Sequence, residues 1–193
     1  MQNSAVQAVK ARTVSLPFQV LLVVGATLLM AILARFSMPL PFTPVVLTLS
    51  NLGVLFIGLA LGSRRAAASM LLYLGAGAMG LPVFSNGGPG GVAQILGPTG
   101  GYLMAYPLAA FVAGWIAERG THSVSRFAIA AVLGEMVLFA GGISWLIALG
   151  ANFVQATNWG VYPFVFGEVS KIMVAVGASL HLHRSNKFQG FIS

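Results

Sequence analysis

An acidic and a basic residue stand three positions apart in a stretch that is otherwise apolar, "YPFVFGEVSKIM". They are Glu168 and Lys171, and their spacing puts both side chains on one face of a helix. Charges inside an apolar helix are costly, so such residues are by default candidates for a functional site. A cation beside a carboxylate suits a small polar ligand that carries its own carboxylate. A structural ion pair that fixes helix packing is the alternative.

The composition decides the surroundings in which this pair must work. Hydrophobic residues make up 58% of the 193 residues, charged residues only 7%, and the mean hydropathy is +0.90. Soluble domains contain about 25% charged residues. Uncharged runs at 13–34, 36–63, 66–117 and 136–167 are each long enough to cross a bilayer. We therefore expect an integral membrane protein in contact with the lipid bilayer, with a single membrane domain over 1–193.

Prolines, glycines and charges divide these runs into six predicted transmembrane helices, at about 18–36, 45–62, 66–80, 98–118, 126–149 and 163–183. The expected fold class is all-α, with a transmembrane core over about 18–183 and both termini on one side. Basic residues in short loops mark the cytoplasmic side. That side carries Lys10, Arg12, Arg64, Arg65, Arg119, Arg126, Arg184 and Lys187. We predict cytoplasmic termini, and the net charge of +7 reflects topology and anionic lipid, not nucleic acid.

A glycine- and proline-rich segment, "GLPVFSNGGPGGVAQILGPTGGY", joins the third and fourth predicted helices on the face opposite the termini. Irregular backbone near a membrane survives only where protein or a watery cavity satisfies its polar groups. Glycine also lets main chain approach a ligand closely. Neutral donors and acceptors come from Ser85, Asn86, Gln94 and Thr99. The segment is a candidate ligand cradle, and a plain external turn is the alternative.

Small residues recur every four positions in the fourth predicted helix, at Gly97, Gly101, Ala105, Ala109 and Ala113. Such a stripe lets a neighbouring helix approach closely. Glu135, in the fifth helix, has no basic neighbour in the sequence. Three roles stay open for it: a protonated carboxyl, a hydrogen bond between helices, or a coupling group. We favour a structural role, in which Glu135 helps to hold helices together.

The sequence lacks the residues that several kinds of chemistry require. The chain has no cysteine, and His181 and His183 point to different helix faces, so we expect no metal site and no cofactor. The phosphate-binding pattern G-x-x-x-x-G-K-[ST] is absent, so any use of ATP requires another subunit. A membrane enzyme built on Glu135 or the Glu168/Lys171 pair would lack a visible nucleophile. The sequence therefore favours a protein that is not an enzyme.

Four stretches together resemble one known family. "PFTPVVLTL", "GLPVFSNGGPGG", "GPTGGYL" and "PFVFGEVSK" are similar to segments of the BioY family, over about residues 18–183. These proteins are the biotin-specific substrate-binding S components of energy-coupling factor (ECF) transporters. The resemblance implies a six-helix S-component fold in the bacterial cytoplasmic membrane that captures biotin from outside. It also implies a membrane coupling subunit and two ATPase subunits as partners.

The resemblance carries specific residues with it. The family pattern of an acidic residue three before a lysine falls on Glu168 and Lys171, with glutamate where most members have aspartate. The loop asparagine of many members falls on Asn86. Where many members read P-V-P-I-T-L-Q, Ser50 replaces the glutamine. The Ala-x-x-x-Ala pair that S components often use to touch the coupling subunit is not present in the first helix.

The chemistry of biotin matches these side chains. Biotin carries a ureido group with two N–H donors and one carbonyl, an apolar thioether ring and a valerate carboxylate. We assign the valerate to Lys171 and the ureido hydrogen bonds to Glu168 and Asn86. Ring packing is assigned to the loop backbone and to Phe84, Tyr102 and Trp159. The reverse orientation stays open.

Gating is assigned to the glycine-rich segment. Glycines at 87, 88, 90 and 91 allow positive φ angles, so we predict that the segment closes over bound biotin. Gly91→Val is expected to weaken binding while leaving membrane insertion intact. An importer of another vitamin or organic anion that acts alone as a secondary carrier is the alternative function. The sequence leaves open whether the chain works alone, as a homo-oligomer or only with ATPase partners.

Overall fold

The computed structural model describes residues 15–86 and 88–184, and these form an α-helical bundle. Lys10, Arg12, Gly87 and Lys187, which the sequence analysis used, lie outside the described residues. The helices are α1 (Leu16–Arg35), α2 (Ser50–Leu61), α3 (Ser63–Ala78), α4 (Gly91–Leu96), α5 (Gly100–Ala117), α6 (Val124–Ala148), α7 (Phe153–Gly160) and α8 (Val165–Arg184). Strands β1 (Ser37–Met38) and β2 (Leu47–Thr48) pair in antiparallel fashion between α1 and α2.

Five of the six predicted helices begin and end within three residues of their expected positions, namely α1, α3, α5, α6 and α8. The exception is α2, which begins at Ser50 instead of residue 45. The preceding residues are extended because Leu47 and Thr48 pair with Met38 and Ser37. Thr48 Oγ1 then accepts from the backbone N–H of Ser50 at 2.8 Å and so starts the helix.

Two short helices occupy segments that were predicted to be irregular. α4 lies inside the glycine-rich segment, and α7 lies in the connection between α6 and α8. α7 begins with a capping box, in which Asn152 and Gln155 each accept from the other's backbone N–H, at 2.9 and 3.1 Å. The glycine-rich segment is therefore a turn that leads into a helix and not an open loop.

Close contacts in the bundle confirm the prediction from the small residues of α5. A Cβ atom built on Gly141 of α6 would lie 2.7 Å from the Cβ of Ala105, and one built on Gly134 would lie 3.2 Å from the carbonyl oxygen of Ala109. On α2, a Cβ at Gly58 would lie 2.9 Å from the carbonyl oxygen of Ala110. α5 therefore packs backbone to backbone against both α6 and α2.

The outer faces of the helices are apolar and exposed. On α1, Leu21 is 64% exposed and Leu28 is 60% exposed, as a lipid-facing surface requires. Four helices, α1, α5, α6 and α8, are long and apolar enough to cross a membrane, so this is a multi-pass membrane protein. α2 has only 12 residues, or about 18 Å of helix, against about 30 Å of hydrocarbon. Because α2 is short, the bundle has space next to Ser50, where this helix begins.

The bundle has two distinct ends. We call the end where α1 ends and α5 begins the loop end, and the opposite end, where α2 turns into α3, the tail end. At the tail end, Gly62 adopts a φ of +80° between the two helices. Glu118, just past α5, accepts from the backbone N–H of Ser63 at 2.8 Å and from its hydroxyl at 2.9 Å. One carboxylate thus caps α3 and ties it to α5.

Candidate functional site

A cavity lies at the loop end, in the space that the short α2 leaves free. Its empty volume is about 510 Å³ with the open space at its mouth included. The 45–51 segment, the glycine-rich segment, α5, α6 and the start of α8 surround it. Its lining residues are Val45, Val46, Thr48, Ser50, Asn51, Tyr73, Ser85, Gln94, Thr99, Tyr102, Leu103, Tyr106, Phe139, Gly160, Phe164 and Glu168.

The predicted ion pair forms at the boundary of this cavity. Lys171 Nζ lies 2.7 Å from Glu168 Oε1, on one face of α8, and both side chains are buried. Glu168 lines the cavity, whereas Lys171 is not among the described lining residues and lies behind the carboxylate. The prediction that the two charges share a helix face and pair is confirmed. The ammonium holds one carboxylate oxygen, while Glu168 Oε2 has no hydrogen-bond partner among the described residues.

Asn51 and Glu135 extend this pair into a cluster. The side-chain amide of Asn51 donates to Glu135 Oε1 at 3.2 Å and to Glu168 Oε1 at 3.3 Å. Of the roles left open for Glu135, the hydrogen bond between helices is the one observed. Asn51 was not among the site residues predicted from the sequence. The feature that could have indicated it is a polar amide at the start of the apolar α2, next to Ser50, which the family resemblance had already marked.

Tyrosines form the wall opposite the cluster. The hydroxyl of Tyr102 donates to the carbonyl oxygen of Gly160 at 2.5 Å, which fixes the ring against α7. A Cβ atom on Gly142 of α6 would overlap the Tyr102 ring, so glycine makes the space that this side chain fills. Tyr73 and Tyr106 lie with ring centroids 6.3 Å apart. Among the described residues, the buried hydroxyl of Tyr73 has no hydrogen-bond partner.

The glycine-rich segment covers the cavity through a buried glutamine. Gln94 of α4 is 2% exposed, and its amide donates to Ser85 Oγ at 2.8 Å. Its oxygen accepts from the backbone N–H of Gly90 at 3.1 Å. Ser85, Gln94 and Thr99 all line the cavity, so three of the four predicted neutral groups face one space. The segment therefore contributes side chains to the cavity and is more than an external turn.

Backbone angles in this segment agree in part with the expected glycine conformations. Gly90 and Gly91 have φ values of +73° and +60° and start α4, as predicted for positions that need positive φ. Gly88 does not have a positive φ. A Cβ atom there would instead lie 2.7 Å from the Gln94 side chain, so its lack of a side chain makes room for that contact.

Three residues assigned to the site, Asn86, Phe84 and Trp159, lie at its margins. Asn86 is exposed and hydrogen-bonded to the guanidinium of Arg35, which also donates to the carbonyl oxygen of Pro82. Phe84 is buried in the core, where its ring meets that of Tyr73 edge-on at 5.3 Å. Trp159 accepts through its carbonyl oxygen from Thr43 Oγ1 at 2.6 Å.

Several residues assigned to the site do not line the cavity. Asn86, Phe84 and Trp159 are not among the described residues that line it, and a Cβ atom on Gly91 would have open space around it. Of the residues assigned to the site, Tyr102 and Glu168 line the cavity directly. The contacts of all seven with a ligand stay predictions.

These features define a class of protein: a multi-pass membrane protein with a cavity, lined by polar and aromatic side chains, at the loop end of a helical bundle. The comparison with known sequences gives the family. The sequence model of the BioY family matches residues 3–188, and the chain belongs to that family. The earlier resemblance is thereby confirmed.

Individual relatives and one solved structure agree with this membership. The chain is similar to the biotin transporter BioY of Rhizobium etli, with 40% identity over 145 residues that cover 70% of this chain and 76% of the relative. The biotin transporter BioY of Thermotoga maritima is 34% identical over 167 residues, which cover 86% and 92%. A crystal structure described as the S-component for biotin from an ECF-type ABC transporter matches with a TM-score of 0.82 and 23% identity, covering 92% of this chain and 96% of that chain. That structural match shows a shared fold.

Proposed function

We propose that this protein binds biotin in the loop-end cavity and acts as the substrate-specific component of an ECF transporter that imports the vitamin. The observation that carries the proposal is the composition of the cavity, with tyrosine walls on one side and a cluster of hydrogen-bonding groups on the other. An apolar thioether ring suits the first surface, and a ureido group suits the second. The names of the Rhizobium etli and Thermotoga maritima relatives support the same ligand.

The charge of the cluster favours one orientation of biotin. The cation of the cluster, Lys171, is already held by Glu168 at 2.7 Å and is not among the described residues that line the cavity, whereas Glu168 lines it. A ligand carboxylate would therefore meet the acceptor oxygens of Glu168 and be disfavoured, whereas an N–H donor would be favoured. We therefore propose that the ureido group points to Glu168 and Asn51. This orientation keeps the ureido contact with Glu168 that was assigned from the sequence, replaces Asn86 with Asn51, and moves the valerate away from Lys171.

The valerate carboxylate then points toward the glycine-rich segment. Ser85 and Thr99 offer hydroxyl groups there. Asn86, next in sequence to Ser85, is bonded to Arg35, so a cation is present at this end of the site. In this arrangement Phe84 and Trp159 support the walls from behind, and Gly91 allows the segment to close over the ligand. Closure is part of the proposal and rests on the positive φ angles at the start of α4.

We further propose six spans, with both termini on the cytoplasmic side of a bacterial cytoplasmic membrane. The four long helices supply four spans, and α2 with its extended lead-in and the 16-residue α3 supply two shorter ones. Basic residues support the orientation, since five described arginines lie at the tail end: Arg64, Arg65, Arg119, Arg126 and Arg184. Arg35 lies at the loop end.

Partner subunits supply the energy in this proposal. The sequence contains no phosphate-binding pattern of the G-x-x-x-x-G-K-[ST] type, so ATP hydrolysis is assigned to two ATPase subunits that act through a membrane coupling subunit. The chain itself is then a binding protein and not an enzyme. Copurification with tagged coupling and ATPase subunits tests this, and recovery only as a homo-oligomer would contradict it.

Calorimetry on the purified, detergent-solubilised protein tests the ligand. Biotin is expected to bind with one site per chain, and other vitamins and small organic anions are not expected to compete. Uptake of radiolabelled biotin into cells separates the mechanisms, because an ECF component needs its ATPase partners and a secondary carrier does not. Uptake that persists when the partner genes are deleted would favour the carrier. No binding of biotin by folded protein would overturn the proposal.

A further inference from the structure

Asn51 holds a position between two buried carboxylates and the cavity. It is the second residue of α2, it is half-buried, and it lines the cavity. Its Nδ2 donates to Oε1 of Glu135 and to Oε1 of Glu168, at 3.2 and 3.3 Å. Glu135 comes from the middle of α6 and Glu168 from the first turn of α8. Three helices thus meet at one side-chain amide.

The Glu168 carboxylate determines which way this amide faces. Because it is paired with Lys171 it accepts hydrogen bonds and donates none, so the NH₂ group of Asn51 points to Glu168 and to Glu135 Oε1. A flipped amide would place its carbonyl oxygen against a carboxylate oxygen and lose the bond to Glu168. The carbonyl oxygen of Asn51 therefore points away from the cluster. It has no hydrogen-bond partner among the residues that the structure describes.

Glu135 adds something that Glu168 alone cannot provide. The Oε1 atom of Glu168 already accepts from Lys171 at 2.7 Å, and its bond from Asn51 is long. With Glu135 the amide is held at two points on different helices, which fixes its plane. Glu135 is 4% exposed and is not among the described residues that line the cavity. It is therefore suited to act through Asn51 and not on a ligand.

We propose that Asn51 is a specificity-determining residue that accepts a hydrogen bond from an N–H group of the ligand, and that Glu135 is the positioning residue that keeps this acceptor facing the cavity. The ligand class is a cyclic urea or similar molecule with an N–H donor beside its carbonyl. The inference rests on the proposed biotin function and adds to it. Glu168 accepts the second donor, so two acceptors from two helices read the two N–H groups of the ureido ring.

The test compares biotin with its two ureido N-methyl derivatives, in calorimetric titrations of the detergent-solubilised full chain. In the wild-type protein, each derivative is expected to bind about 10-fold or more weakly than biotin, because an acceptor loses its donor. In Asn51→Ala, the preference for biotin over one of the two derivatives is expected to fall to about threefold or less. The preference over the other derivative is expected to persist, because Glu168 reads that N–H group.

Glu135→Gln tests the positioning role. Its side chain can donate to the Asn51 oxygen, which allows the amide to flip. Asn51→Ala removes the preference for biotin over one N-methyl derivative. In Glu135→Gln, the logarithm of that ratio of Kd values is expected to fall by about half. The thermal unfolding temperature of this variant should stay near that of the wild type. Asn158→Ala, at an exposed position of α7, is the matched control and should keep both preferences. Biotin methyl ester is altered at the other end of the ligand. The ratio of its Kd to that of biotin should therefore be the same in the wild type and in the variants.

The outcomes separate this inference from the function on which it rests. A wild-type protein that does not bind biotin removes the proposed function. A wild-type protein that binds biotin and both N-methyl derivatives within threefold overturns the inference and leaves the function standing, even if no variant folds. Equal losses for all three ligands in folded Asn51→Ala also overturn it, because they show a structural role alone. If Asn51→Ala does not fold, Asn51→Ser is measured in its place.

Discussion

The two ends of the helical bundle are built on opposite principles. At the tail end, helices touch through glycine and alanine, and a Cβ atom on Gly114 would overlap the backbone N of Ser63. At the loop end, extended backbone precedes α2, and polar side chains such as Asn51 and Glu168 line a cavity. One end is closed by backbone contact, and the other keeps a space open.

This difference shows how a small membrane protein can hold a polar cavity. Polar groups at membrane depth must be satisfied by protein or enclosed water, which requires a rigid frame. Ala109, Ala110 and Ala113 of α5 are fully buried and let three helices approach closely at the tail end. Toward the loop end α5 and α6 stay close, since a Cβ atom on Gly101 would overlap the carbonyl oxygen of Gly141, but α5 there carries the large side chains of Tyr102 and Tyr106, which line the cavity. The close helix contacts thus provide the rigid frame that holds the cavity at the loop end.

The largest expected effect comes from removing the cation of the loop-end cluster. In Lys171→Met, the carboxylate of Glu168 loses its partner inside the protein, a change that typically costs about 3–5 kcal/mol. We expect the Kd for biotin to rise about 100-fold or more, as measured by calorimetry. Arg184→Met is the matched control, because it removes an exposed cation from the tail end of the same helix. An affinity within twofold of wild type in folded Lys171→Met would show that the site is wrong.

At the tail end, the expected effect is on stability instead of affinity. Gly114→Val places a side chain against the backbone of Gly62 and Ser63, which cannot move without separating α3 from α5. Overpacking of this kind costs about 1–3 kcal/mol, so thermal unfolding in detergent should begin at a lower temperature. Biotin affinity of the folded fraction should stay within twofold. Gly177→Val, where no atom lies within 4 Å of the added Cβ, should unfold like the wild type.

A moderate effect is expected at the start of α4. Gly91 has a φ of +60°, which a β-branched residue adopts only with strain of about 1–3 kcal/mol. We expect Gly91→Val to weaken biotin binding about 3- to 10-fold without loss of membrane insertion. Gly80→Val has the same kind of strain, at a φ of +89°, but it is the first residue of the segment and precedes Ser85, the first of its described residues to line the cavity, so it should bind as the wild type does. Unchanged calorimetric affinity in folded Gly91→Val would remove the segment from the site.

The smallest effect is expected at Asn86. Its side chain faces Arg35 and is exposed, so Asn86→Ala should change the Kd by about threefold at most. This variant tests Asn86 against the cluster, because a ureido contact was assigned to Asn86 from the sequence. A loss of tenfold or more would show that ligand binding brings Asn86 into the cavity. Calorimetry with Asn158→Ala as the control measures it.

Much of the fold could be predicted from the sequence because lipid imposes simple rules. Uncharged runs bounded by arginines, prolines and glycines predicted five helices within three residues of their observed ends. The exception, α2, failed because the pairing of β1 with β2 is a contact between segments about ten residues apart. Hydropathy cannot distinguish an apolar extended segment from an apolar helix over so few residues.

The site could be predicted only where one helix contains both partners. The Glu168/Lys171 pair follows from a spacing of three, and the close approach of α5 follows from its small residues. Asn51 and Glu135 are 84 positions apart in the chain, and no local pattern links them. The glycine-rich segment was correctly assigned to the cavity through Ser85, Gln94 and Thr99. Which of its polar groups turns inward depended on the hydrogen bonds of Gln94 and of Arg35.

The sequence by itself determined the solvent, the helices α1, α3, α5, α6 and α8, the family, and the Glu168–Lys171 ion pair, which lies within a single helix. These properties depend on composition and on periodicity over a few turns, which the chain carries locally. The tertiary structure decided where the cavity lies, that Asn51 joins two carboxylates from different helices, and that Asn86 faces outward. Those features depend on contacts between residues far apart in the sequence, which form only when glycine and alanine contacts bring α2, α5 and α6 together.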